Sequence, residues 1–236
     1  ILWVCQGEPL FIRRTDENSP GIGLTWSITP KGIISFIIIL ITSTQSYYGF
    51  FAIFFLIIAT LWSASRSYDL AALINGIVTG VLLIAGLTLN KLPSLLYTLS
   101  HGPSFAMIYR YPNETEIYGL KLIQLILPAP GHNIPFFSEI AQKYTEYRPL
   151  VNENVSATLG IIGTAGFLLL LFWVFLRGWQ PLNTHMNDRV RVMDHLSLLT
   201  ISALFIGTIG GISAIVAEFF PEIHAYNRIS LFIAFF

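Results

Sequence analysis

Charge is scarce in this chain. Lysine, arginine, aspartate and glutamate make up 11% of its 236 residues, where a soluble domain carries about 25%. That deficit excludes water as the main solvent, and a mean hydropathy of +0.66 agrees. The formal net charge is zero, so the basic footprint of a nucleic-acid partner is missing. A single cysteine, Cys5, excludes an intramolecular disulfide framework. There is no Walker loop, dinucleotide-binding glycine pattern, Cys/His metal spacing or Gly-x-Ser-x-Gly elbow.

What the chain has is long apolar runs. Residues 155–176 carry no charge, and about 20 apolar residues suffice to cross the hydrocarbon of a bilayer. Residues 70–89 form a second clear run, with Gly76, Gly80 and Gly86 placed to let helices approach closely. Residues 196–217 form a third, containing Gly207-Thr-Ile-Gly-Gly. Residues 32–41 and 50–62 are shorter. They read as two short spans, or as a re-entrant pair, around the polar turn 42–49. The first reaches about 17 residues only by recruiting its flanks, with Lys31 snorkelling to the interface. A last run, 229–236, opens a further span.

The expected fold is therefore all-α, a polytopic membrane helix bundle of five spans plus the start of a sixth, with a long outer loop carrying interfacial helices. Residues 1–31 are an inner loop, 32–89 three spans, 90–154 the outer loop and 155–236 the remaining spans. The chain begins at Ile1 and stops within an apolar run, so it is expected to be a piece of a longer protein. Arg13, Arg14, Lys31, Arg66, Arg177, Arg189 and Arg191 fall in the segments assigned to the inner side, and the short outer turns hold only Arg228, as the positive-inside rule asks. In the outer loop, Asn113 followed by Glu116 resembles a capping box. It opens a helix over 114–127 that, with Lys121 and Gln124 on it, lies at the interface. A second short helix covers 136–147.

The polar clusters collect on the outer side. Asn152-Glu153-Asn154 stands at the mouth of the central span. A carboxylate there can act as a base, orient a hydroxyl or bind a cation, and the amides can hydrogen-bond a sugar. The plain alternative is helix capping. Arg110 and Lys121 near a helix start can hold a phosphate, or simply form pairs along the helix. His132 can donate to a phosphate or move a proton, or be an ordinary surface residue. Tyr226, Asn227 and Arg228 stand just before the last span, where Arg228 either snorkels or binds a ligand.

Several stretches together resemble a group of bacterial multi-spanning inner-membrane proteins described as sugar translocases or phosphoglycerol-transferase-like proteins, related to lipid-linked-sugar glycosyltransferases of the GT-C type. They are Tyr-Gly-Leu-Lys-Leu-Ile-Gln-Leu-Ile-Leu-Pro-Ala-Pro-Gly-His at 118–132, Pro-Leu-Val-Asn-Glu-Asn at 149–154 with Leu159-Gly160, Ala-Tyr-Asn-Arg-Ile-Ser at 225–230, and the turn Ser-Tyr-Tyr-Gly-Phe-Phe at 46–51. The resemblance implies transfer of a sugar from a polyprenyl-phosphate donor at the outer leaflet to an envelope or polysaccharide acceptor. It implies Glu153 as the catalytic or acceptor-side carboxylate, with Asn152, Asn154, Tyr226 and Asn227 binding substrate. Arg110, Lys121, His132 and Arg228 would lie on the phosphate side. A divalent cation is left open as cofactor. In GT-C enzymes the decisive acid usually lies in the first outer loop, which this reading puts upstream of Ile1. A translocase for the lipid-linked sugar and a non-catalytic scaffold subunit of an envelope-polysaccharide machine are the alternatives.

Overall fold

The computed structural model describes residues 1–14, 23–67, 69–102, 110–129, 131–147, 157–178 and 187–236. It is mostly helical, and four of its helices are long and apolar enough to cross a membrane. The chain forms two compact units, Ile1–Met107 and Ile108–Phe236.

The first unit contains α1 (Leu2–Cys5), the paired strands β1 (Ile12–Arg14) and β2 (Leu24–Trp26), then α2 (Pro30–Thr42), α3 (Ser46–Ser67) and α4 (Leu70–His101). The two-stranded antiparallel ribbon departs from the all-α expectation. Helix α2 has 13 residues and spans about 20 Å, short of the ~30 Å hydrocarbon core. Thr29 caps its start, accepting from the Gly32 N–H at 3.1 Å. Lys31 pairs with Glu8 at 2.8 Å. The expected polar turn at 42–49 shrinks to its first residues, because Tyr47, Tyr48 and Gly49 already belong to α3, a 22-residue helix of full spanning length.

Helices α3 and α4 lie antiparallel, with Thr60 against Gly76 and Leu87 against Gly49, while Ser43 sits against Gly86. A Cβ at Gly76 would collide with Thr60, so the close crossing needs glycine there; a Cβ at Gly80 would meet no atom of the described residues within 4 Å. Helix α4 runs to His101 with Pro93 inside it, well into the stretch expected to be outer loop. Its 32 residues measure about 48 Å, more than a bilayer core requires. Asn90, taken as the loop's first residue, instead donates to Ser43 Oγ at 3.0 Å and to the Gly86 carbonyl at 2.9 Å, fastening α4 to the end of α2.

The inner loop expected at 1–31 is in its first part a packed segment. Leu10, Phe11 and Ile12 are buried, and a buried backbone without hydrogen-bond partners would be costly. Asn75, on the second turn of α4 and itself buried, supplies them. Its Oδ1 accepts from the N–H groups of Leu10 (3.2 Å), Phe11 (2.8 Å) and Ile12 (3.0 Å). Its Nδ2 donates to the carbonyls of Ile12 (2.7 Å) and Ala71 (2.9 Å). One carboxamide thus uses its full bonding capacity.

The second unit contains α5 (Glu114–Tyr118), α6 (Leu122–Ile126), α7 (Pro135–Tyr147), α8 (Gly160–Gly178), α9 (Asp188–Gly207), α10 (Ile212–Phe219), a 3-10 turn (Tyr226–Ile229) and α11 (Ser230–Phe235). The helix expected over 114–127 is broken. Leu120 leaves it to form a parallel bridge with Thr208, donating to the Gly207 carbonyl at 2.7 Å and accepting from Ile209 N–H at 3.4 Å. The span expected over 196–217 is broken at the matching place. It begins earlier, at Asp188, ends at Gly207 and resumes as α10. The glycines read as a packing sequence are the break itself: Gly210 is left-handed (φ +70°), and a Cβ at Gly207 would sit 2.6 Å from Ile229.

Helices α8 and α9 pair through polar side chains. Ser197 donates to the Leu170 carbonyl at 3.0 Å. Asp194 accepts from Trp173 Nε1 at 2.9 Å and from Arg177 Nε at 3.1 Å. Asp194 and Asp188, expected in a loop, are helical, and the pairing explains how Asp194 tolerates a half-buried place.

Replacing Asn75 by leucine keeps the branching at Cγ and leaves three buried N–H groups without an acceptor, each costing about 1–3 kcal/mol. Asn75→Leu is expected to lower the unfolding midpoint in detergent and to open residues 1–14 to protease. Thr79→Val, one turn along, should do neither.

Candidate functional site

In the second unit the polar material gathers at one end of the α8–α9 pair. The Leu125 carbonyl accepts from Leu159 N–H at 3.2 Å and from Thr164 Oγ1 at 3.1 Å, which ties α6 to the N-terminal end of α8. Leu120 meets Gly207 at the C-terminal end of α9. Arg177 and Asp194 mark the opposite end. The turn Tyr226–Ile229 joins the first group, since Ile229 lies against Gly207 and the Tyr118 ring meets His224 edge-on at 5.4 Å.

Arg110 is bound to Glu114 at 3.2 Å, and the Glu114 carboxylate also accepts the Tyr111 N–H at 3.3 Å. Glu114, and not the expected Asn113–Glu116 box, therefore closes the start of α5; Asn113 makes no side-chain cap. Lys121 stands at the N-terminal boundary of α6. Burial lowers its pKa, because the charged amine has lost part of its water. A cation in that condition gains from an anion brought beside it.

His132 makes its described contacts locally. Its Nδ1 accepts from the Ile134 N–H at 3.1 Å and its ring meets Phe137 edge-on at 5.3 Å, an arrangement that steadies the entry to α7. Arg228 is exposed on its turn, whereas Tyr226 and Asn227 are buried. Asn227 Oδ1 has no hydrogen-bond partner among the described residues. Asn152, Glu153 and Asn154 lie outside the described residues. The structure thus gathers Lys121, Tyr226, Asn227 and Arg228 about the α9–α10 break, with Arg110 held on the adjoining α5. His132 stays with its own segment.

Sequence reading missed the polar interior of α9. His195, Ser197, Thr200 and Ser202 are buried along it, and Thr200 Oγ1 has no partner among the described residues. The signal was four polar residues within eight positions of an apolar run, Ser197 and Thr200 on one side of the helix and His195 and Ser202 on the other. Gln124, read as a mark of the interface, is 3% exposed. It lines a cleft of about 10 Å³ with Leu127, Pro128, Ala141, Tyr144, Thr145 and Thr158, roughly the room that one water takes. Among the described residues no group of three or more His, Cys, Asp or Glu could hold a metal ion.

Comparison with protein-family models, with curated proteins and with solved structures finds no match for this chain.

Lys121 yields a pH-dependent expectation. The folded chain holds this proton less tightly than the unfolded chain. The burial penalty is therefore complete at neutral pH, and stability recovers as pH rises from the folded titration point toward the ordinary lysine value. Lys121→Met should raise the unfolding midpoint at neutral pH, with the gain shrinking under alkaline conditions; a gain that does not change with pH contradicts the assignment.

Proposed function

We propose that the chain belongs to an integral membrane glycosyltransferase-like protein of the bacterial inner membrane. It would transfer a sugar from a polyprenyl-phosphate donor at the outer leaflet to an envelope or polysaccharide acceptor. One observation carries this reading. The 118–132 and 225–230 stretches, far apart in sequence, come together at Gly207, which Leu120 bonds and Ile229 lies against, with Tyr118 meeting His224 just before the second stretch, at one end of two helices long and apolar enough to span a membrane.

The chemistry assigns roles. The acceptor hydroxyl oxygen attacks the anomeric carbon as the bond to the lipid phosphate breaks, and its proton goes to a carboxylate. Glu153 is the candidate in this chain, with Asn152 and Asn154 as sugar-binding amides. Lys121 and Arg228 are the cations suited to the departing phosphate, with Arg110 held nearby by Glu114. His132 ranks behind them, because its Nδ1 is engaged in its own turn.

A second reading, a translocase of the lipid-linked sugar, is favoured by one specific observation: the buried polar side chains along α9, His195, Ser197, Thr200 and Ser202. Ionisable and polar groups inside a span are costly and commonly functional.

The two readings separate in proteoliposomes supplied with a polyprenyl-phosphate sugar and an acceptor extract. Transfer is the expected result, falling about 100-fold or more in Glu153→Gln with the fold intact. Unchanged transfer in that variant removes Glu153 from the chemistry. Movement of the donor between leaflets without transfer overturns the glycosyltransferase reading in favour of the translocase.

A further inference from the structure

We propose that α6 and α7 lie in the membrane plane as a collar around the N-terminal end of α8, their outward faces set among lipid acyl chains at the headgroup boundary. This goes beyond the reading above and stands whatever the chain's activity.

Helix α6 is two-faced. Gln124 and Leu125 are buried, while Leu122, Ile123 and Ile126 are exposed. Its depth is fixed by α8, because the Leu125 carbonyl is bonded to Leu159 and Thr164, within the first turns of that helix. At this same level Ile161 and Ile162 are 74% and 89% exposed. In a helix of spanning length and composition, such residues face lipid. Those bonds tie α6 to this level, with its exposed apolar residues opposite the packed Gln124 and Leu125.

Helix α7 is built alike. Ala141 is buried, and Tyr144 and Thr145 face the Gln124 cleft. Phe136, Ile140 and Tyr147 are exposed. At about 100° per residue, positions 136, 140, 143 and 147 fall within a stripe roughly 60° wide. Lys143 in that stripe pairs with Glu139 at 3.0 Å and can carry its charge to the headgroups while its stem stays in the apolar layer. Aromatic residues at each end with a lysine between them suit the membrane–water boundary. Water-facing helices would not place bulky apolar residues outward on both segments, level with the lipid-facing start of a span.

The test uses spin labels on single cysteines introduced into the full chain carrying Cys5→Ser, reconstituted into phosphatidylcholine vesicles. Ile123→Cys, Phe136→Cys and Ile140→Cys carry the labels, with Ile162→Cys as lipid reference and Gln142→Cys, on the opposite flank of α7, as water reference. All these positions are exposed, so the changes leave the packing alone. Labels at 123, 136 and 140 are expected to relax with oxygen in preference to a water-soluble nickel chelate, as at 162. Nickel-dominated relaxation at these sites, as at 142, overturns the proposal. So does shielding from both reagents, which would mean a protein partner or second copy on this face. Lipid-type behaviour confined to one helix overturns the collar as well.

Discussion

A peptide group inside a bilayer has no water to bond, so each N–H and carbonyl must find its partner within the protein. This constraint makes the long segments helical, and it governs what happens where the chain stops being helical beside them. In the first unit the non-helical stretch Leu10–Ile12 is carried by one buried amide, Asn75. In the second, α9 ends at Gly207 and the freed backbone is taken up by Leu120. Each irregular stretch exists because a single partner answers it.

The second case has a chemical consequence. By bonding to the end of α9, Leu120 divides α5 from α6 and draws α5 against the turn Tyr226–Ile229. Lys121 follows directly and is held at the junction, partly stripped of water. The break that interrupts a span is thus the feature that collects the polar residues. At the far end of the same helix pair, Arg177, Trp173 and Asp194 form a closed ion-paired cluster, which already satisfies its own charge and leaves little to offer a ligand.

The apolar runs were readable from composition, since a run such as 161–176 leaves few alternatives to a spanning helix. Their ends were harder to read. Composition placed the end of one span at residue 89, yet the helix continues through Pro93 to His101. The glycines at 207–211 read as a packing motif because small residues serve both close packing and chain reversal, and only the partner strand distinguishes the two. Asn75 was invisible for a related reason. A single amide in an apolar run says nothing of a segment more than sixty positions earlier that needs its oxygen. Of the site, Lys121 and the 225–230 turn could be named from sequence, whereas the burial of the polar side chains of α9 shows itself once the helix is seen with its neighbours.

The central claim is that α8 and α9 cross the membrane, with the gathered polar end on one side and the Arg189 end on the other. Compartment-selective maleimide labelling of His132→Cys and Arg189→Cys, each in the full chain in intact cells, tests this most directly. The native Cys5 is buried and its thiol is pushed up to about 11, so it competes poorly for the reagent. An impermeant reagent applied from outside is expected to label position 132, while position 189 reacts only after the membrane is opened. Equal labelling of both from one side contradicts the account.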